Sequence, residues 1–257
     1  MKRLVLHLAY TGTEFVGWQI QGSGRTVQGV LEQALSRICE RQMRVHGAGR
    51  TDSGVHALGQ VAHCDIPDEK TGIPWQKALN ALLPRDVAVI RAAWADSGFH
   101  SRISARAKEY TYRLWVEPSF VLPQLRPFVW PVGRLDLEAM RTAATVFSGP
   151  NDFAAMQNAG TSVRSTVRFV FWVDFRTGSR PEEIVISLAA DGFLKQMVRN
   201  MVSALVNVGR GELSASGLET LMAGRDRRLG PATAPAKGLC LENVFYETLP
   251  PEDLGES

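Results

Sequence analysis

The chain has 257 residues, 29 Lys and Arg against 26 Asp and Glu, a formal net charge of +3, and 45% hydrophobic and 21% charged residues. That length buries one large core or two small ones, the proportions are ordinary for a globular protein, and no apolar run approaches the ~18 residues of a membrane span. Cys39, Cys64 and Cys240 form no C-x-x-C pair, which argues against a disulfide framework and a structural zinc site and for core cysteines.

Met1-Lys2-Arg3-Leu4 leads straight into strand alternation, with neither an apolar signal region nor a cleavage site, so a cytoplasmic protein is expected. Leu4, Leu6 and Leu8 mark a half-buried strand over residues 3–10. Thr26 is placed to cap a helix whose stripe is Val27, Val30, Leu31, Ala34, Leu35 and Ile38. Strands are expected at 43–46 and 60–66. A helix opens at Ile73-Pro74-Trp75 and ends by Pro84, and a strand covers 86–94. Residues 99–108 read as an ordered connector, followed by a strand at 109–117. The second half adds a helix at 135–147, strands at 164–176 and 182–190, a long helix at 194–208, a short helix at 218–223 and a strand at 239–246. Each half therefore reads β-α-β-β-α-β, which predicts an α+β protein of two ferredoxin-like halves whose antiparallel sheets flank a central cleft. The expected domains are 1–98 and 109–248, with a tail at 249–257.

Between the second and third expected strands lies Gly47-Ala48-Gly49-Arg50-Thr51-Asp52-Ser53-Gly54-Val55-His56-Ala57. Its glycines permit positive φ and close approach. Gly49 and Gly54 have P-loop spacing, but Val55 stands where the lysine belongs, and the dinucleotide fingerprint is absent. Two readings remain: a turn in which Asp52 or Thr51 bonds its own backbone, or a platform presenting the Asp52 carboxylate.

Elsewhere, Gln196, Arg199 and Ser203 lie opposite the apolar stripe of the long helix, either as a solvated face or with Arg199 as counter-charge to a buried aspartate. Tyr110 and Tyr112 share a strand face and read as a base-stacking platform or as core. Phe169, Phe171, Val173 and Phe175 form a stripe expected in the core. Arg25, Arg102, Arg106 and Lys108 are candidates for phosphate contact, the run Arg225 to Arg228 reads as solvated surface or as a further phosphate contact, and all but six of the basic residues are arginine.

Several of these segments occur together and in order. They are Ala9-Tyr10-Thr11-Gly12-Thr13-Glu14-Phe15-Val16-Gly17-Trp18-Gln19, Gly49-Arg50-Thr51-Asp52-Ser53-Gly54-Val55-His56-Ala57, Phe99 to Arg113, Phe193 to Arg199, Val208-Gly209-Arg210-Gly211 and Ala234-Pro235-Ala236-Lys237-Gly238-Leu239. Over nearly its full length the chain resembles the tRNA pseudouridine synthase A family. The resemblance implies an enzyme without cofactor or metal that converts uridine to pseudouridine in the tRNA anticodon stem-loop (positions 38–40), working as a homodimer with a basic cleft. It implies Asp52 as the catalytic aspartate, Tyr110 as a substrate contact and Arg199 as the aspartate's basic partner. Arg50, Arg102 and Arg106 are then substrate-binding candidates. Asn151-Asp152-Phe153 replaces a frequent His-Asp-Phe, and Ser203 stands where glycine is common. An RNA-binding module would leave Asp52 without a task, and a glycosidase would need a second carboxylate nearby.

Overall fold

The computed structural model describes residues 1–160 and 163–246. It divides into two units, one made of Met1–Lys108 with the chain from Leu241, the other of Glu109–Cys240. Both are mixed α+β with mostly antiparallel strands. Residues 99–108 go with the first unit, and the expected tail at 249–257 lies outside the described residues.

In the first unit the leucine alternation becomes β1 (Lys2–Tyr10), with Leu4, Leu6 and Leu8 buried. Thr26 caps α1 (Val27–Cys39), its Oγ1 accepting the Gly29 N–H at 3.1 Å, and Val27, Leu31, Ala34 and Leu35 turn into the core. Glu32 is buried on the same helix because it accepts the Val45 N–H at 3.0 Å, which fixes the chain entering β2 (His46–Gly47). Next come β3 (His56–Ile66), α2 (Trp75–Asn80) and β4 (Val87–Ala95). The strand order is β4-β1-β3-β10, β10 being Leu239–Phe245, with β2 paired to β3. β3 starts four residues before its expected Gln60, and His56 is held there by accepting the Gly12 N–H on Nδ1 at 3.0 Å. α2 stops before Leu82 and Leu83. Asn80 terminates it by bonding both the N–H and the carbonyl of Val89, at 2.7 and 2.9 Å.

The second unit contains β5 (Ala107–Trp115), β6 (Trp130–Pro131), α3 (Leu137–Ala144), β7 (Gly149–Asp152), β8 (Val167–Thr177), β9 (Glu183–Ala190), α4 (Met197–Gly209) and α5 (Ala215–Gly224). Its strands run in the order β5-β9-β8-β7, with β6 parallel to β5. The aromatic stripe on β8 is not wholly core: Phe175 is buried, whereas Phe169 is 42% exposed. A register shift between Val170 and Trp172 in the β8–β9 pairing is the cause, since one extra residue sends the two ends of an every-other-residue stripe to opposite faces.

The connector that carries Arg102 and Arg106 is anchored by a histidine cluster. His63 of β3 stacks on His46 of β2 with centroids 5.1 Å apart and meets His100 edge-on at 4.6 Å. Ser101, fully buried, donates its N–H to His63 Nδ1 at 3.2 Å and its hydroxyl to the His46 carbonyl at 2.6 Å. Its own carbonyl accepts the Tyr246 hydroxyl at 2.8 Å. Burial, with His100 and then Arg3 adding positive charge nearby, pushes the His63 pKa down to about 4. Burial also lowers His100, while Asp65, held low by Arg3, sits beside the cluster. The unfolded chain therefore takes up protons that the folded chain refuses. The His63 contribution to stability should be full above about pH 6.5, fall as pH drops towards about 4, and be spent below that, where protonation of lowered carboxylates such as Asp65 takes over the loss. The loss expected from His63 is about 3 kcal/mol. Urea unfolding across that range should be distinctly flatter for His63→Gln than for the wild type; equal slopes would show that His63 is not the group responsible.

Candidate active site

Asp52 sits in the loop between β2 and β3, and the loop is bound to residues 12–18 along its length. Thr51 accepts the Trp18 N–H at 3.1 Å through its carbonyl and shares a 2.9 Å hydrogen bond with the Tyr10 hydroxyl through Oγ1. Gly54 returns an N–H to the Phe15 carbonyl at 3.2 Å, and Val55 N–H closes a turn onto the Asp52 carbonyl at 3.2 Å. Upstream, Gln60 Nε2 donates to the Gly49 carbonyl at 3.0 Å. Asp52 itself is half-buried.

Close approach explains two glycines in the facing segment. A Cβ on Gly12 would stand 1.9 Å from the Val55 carbonyl oxygen, and one on Gly17, whose φ is +112°, would stand 2.7 Å from that of Thr51. The backbone of Asp52 closes a local turn onto Val55, while the Thr51 side chain bonds Tyr10 rather than its own backbone, and the loop is tied to the facing segment on both sides of Asp52. Tyr10, Trp18 and Gln60 are the supports that sequence reasoning missed. The signal for Gln60 was an amide inside an apolar strand, and its exposure is 0%.

Of the other candidates in the first unit, Arg50 lies in the loop two residues before Asp52 and is exposed, as are Arg102 and Arg106. Arg106 donates its backbone N–H to the Phe245 carbonyl at 2.8 Å. Lys108 reaches the loop itself, its Nζ lying 3.5 Å from where a Cβ on Gly49 would be. Arg25 is engaged within the protein, forked onto Asp86 at 2.5 and 2.8 Å, with its guanidinium 4.2 Å from the Phe15 ring centroid.

In the second unit Tyr110 is buried, packed edge-on against Phe193 at 5.2 Å. Tyr112 is a core residue that donates its hydroxyl to the Pro235 carbonyl at 2.6 Å, and burial pushes its pKa up. The polar face of α4 is hydrogen-bonded to the chain beside it, with Ser203 buried and Gln196 and Arg199 half-buried. Arg199 Nε donates to the Ala234 carbonyl at 2.7 Å, and the buried Ser203 hydroxyl donates to the Ala232 carbonyl at 2.6 Å. Of the basic run, Arg225 pairs with Asp152 at 3.2 Å, and Arg228 pairs with Asp226, whose pKa its hydrogen bonds lower to about 2.

The tRNA pseudouridine synthase family matches this chain over residues 7–102 and 143–247. The first block contains Arg50, Asp52 and Arg102 and the second contains Arg199, while Arg106 and Tyr110 fall between them. The chain is 58% identical over 251 residues to the tRNA pseudouridine synthase A of Solidesulfovibrio magneticus, covering 96% of this chain and 92% of that protein. It is 49% identical to the namesake enzyme of Maridesulfovibrio salexigens (96% and 91% covered) and 40% identical to that of Geobacillus kaustophilus (96% and 95% covered). The chain belongs to the tRNA pseudouridine synthase family, and it is an isomerase.

Gly12→Ala should force the Val55 carbonyl away and loosen the loop. The expected result is a loss of about 1–3 kcal/mol of stability and a fall in turnover of roughly tenfold or more at saturating tRNA. Wild-type turnover in a well-folded Gly12→Ala protein would mean that the packing of residues 12–18 against the loop does not matter to the reaction.

Proposed function

We propose that this enzyme isomerises uridine in the anticodon stem-loop of tRNA, with Asp52 as the nucleophile. The observation that carries the proposal is the half-buried Asp52 on a loop bound by backbone hydrogen bonds to residues 15–18. A catalytic carboxylate must meet a sugar or ring carbon at a defined position, and a loop so bound keeps it there.

The reaction breaks the bond from N1 to C1′, turns the uracil, joins C5 to C1′ and moves a proton from C5 to N1. No electron is gained or lost. Asp52 acts as the nucleophile, at C1′ of the ribose or at C6 of the uracil ring. The target nucleoside has to leave its stack first, which costs a few kcal/mol. In this reading Tyr110 stacks on the uracil, Arg199 supplies the positive charge that keeps the carboxylate ionised, and Arg50 holds the displaced backbone. Arg102 and Arg106 contact phosphates from the anchored connector. The two units act as ferredoxin-like halves, and the enzyme works as a cytoplasmic homodimer.

A tRNA transcript tritiated at uracil C5 tests this directly, because isomerisation must release the label. Asp52→Asn should cut release by roughly 10³-fold or more while tRNA affinity changes little. Label release at the wild-type rate by Asp52→Asn would exclude the carboxylate. Binding without release by the wild type would leave an RNA-binding module, and free uracil would mean hydrolysis.

Two phosphate contacts from Arg102 and Arg106 predict that affinity drops about tenfold between roughly 50 mM and 200 mM salt. The double variant Arg102→Ala/Arg106→Ala should flatten that dependence. An unchanged slope would remove both residues from the contact set.

A further inference from the structure

Arg227 was read from sequence as one cation in a surface run, and the fold turns it inward. Its Nε donates to Asn158 Oδ1 at 2.9 Å, and its NH2 donates to Asn200 Oδ1 at 2.9 Å and to the Pro231 carbonyl at 2.6 Å. Thr233 Oγ1 lies 3.3 Å from the same nitrogen. Every one of these acceptors is neutral, and among the described residues no carboxylate pairs with Arg227. Burial lowers its pKa, the cost of placing a cation there without a counter-charge. Arg227 is half-buried, and a guanidinium so placed is held for its geometry: five donors in a rigid plane can bind several separate segments at once.

The segments it binds are those that surround Arg199. Asn200, 1% exposed, is the next residue on α4, and its Nδ2 donates to the Met156 carbonyl at 2.7 Å and to Asn158 Oδ1 at 2.9 Å. Thr233 donates its hydroxyl to Asn200 Oδ1 at 2.8 Å. Asn158 also bonds Gln196, the residue that caps α4 with a left-handed φ of +60°, a conformation that a non-glycine residue adopts only when its surroundings impose it. On the far side, residues 231–235 run along the helix. There Ala234, beside Thr233, accepts from Arg199 Nε at 2.7 Å and donates its N–H to the Arg199 carbonyl at 3.4 Å. Arg227 therefore fixes, through its partners, both the first turn of α4 and the segment whose Ala234 carbonyl accepts from Arg199 Nε.

We infer that Arg227 is a positioning residue for the isomerisation: it holds Arg199 in its working orientation through Asn200, Thr233 and the Ala234 carbonyl. The inference rests on the role proposed above for Arg199, and the experiment separates the two. Tritium release at saturating tRNA, tRNA affinity and thermal unfolding are compared for Arg227→Met, Arg199→Ala and the double variant. Arg227→Lys serves as the conservative replacement, which keeps charge and loses the fork.

Arg227→Met is expected to lower kcat by about ten- to a hundredfold, with KM for tRNA changed by less than about twofold. In the Arg199→Ala background the same change should have almost no further effect on kcat, because a residue acting through Arg199 has nothing left to position. Arg227→Lys should not restore kcat. Independent losses that multiply in the double variant would overturn the inference while leaving Arg199 in its role. Full turnover by Arg199→Ala would overturn the role of Arg199 and the inference with it. If Arg227→Met does not fold, Thr233→Val removes one link of the chain and should still lower kcat without raising KM; wild-type kcat in a folded Thr233→Val protein would overturn the inference as well.

Discussion

The exchange of backbone hydrogen bonds between residues 15–18 and 51–55 is the constraint on which the Asp52 site depends. Trp18 gives its N–H to Thr51, and Gly54 gives its own back to Phe15. Together the two bonds contribute only about 2 kcal/mol to stability. Their larger effect is positional: a loop fixed on both sides of one carboxylate has few ways to carry it off target. The arrangement needs glycine at 12 and 17 because the two backbones come closer than any side chain allows. It also needs Tyr10, at the end of β1, to reach Thr51. The first strand, the segment after it and the acidic loop thus form a single mechanical element.

The second unit solves its own positioning problem with side chains. α4 is nearly all buried, yet the residues around Arg199 are amides, hydroxyls and carbonyls in place of hydrocarbon. Buried polar groups are tolerated only when each finds a partner, and a network in which all do so admits few alternative packings. Such a network is costly to disturb at any member, because removing one group leaves others unsatisfied.

Much of this was legible in the sequence, and what was not has identifiable causes. Thr26 and the stripe of α1 were readable because capping and helical periodicity are local. The Asp52 loop was readable as a glycine-framed turn, and its motif carried the family resemblance. The supports of that loop were not readable, since Tyr10 and Gln60 are ordinary strand residues until the strands pair. Arg227 looked like a solvated cation because its acceptors come from residue positions as distant as 158 and 200. Phe169 looked like core because a register shift leaves no mark on an alternating pattern. The start of β3 at His56 was hidden by the motif itself, whose last two residues read as loop and lie in the strand.

The sheet of the first unit takes its last strand from the far end of the chain. β10 lies beside β3, so close that a Cβ on Gly59 would fall 2.0 Å from the Glu242 carbonyl oxygen. On a ribosome, the first hundred residues emerge long before that strand exists. Most of one flank of β3 is open meanwhile, with only the two residues of β2 against it. An unpaired strand edge is a template for wrong partners. The whole of Glu109–Cys240 has to be synthesised before the right partner arrives. A nascent chain of this design is therefore most vulnerable to misassociation during translation of its middle, and a stop codon shortly before residue 239 would leave even the N-terminal sheet unfinished.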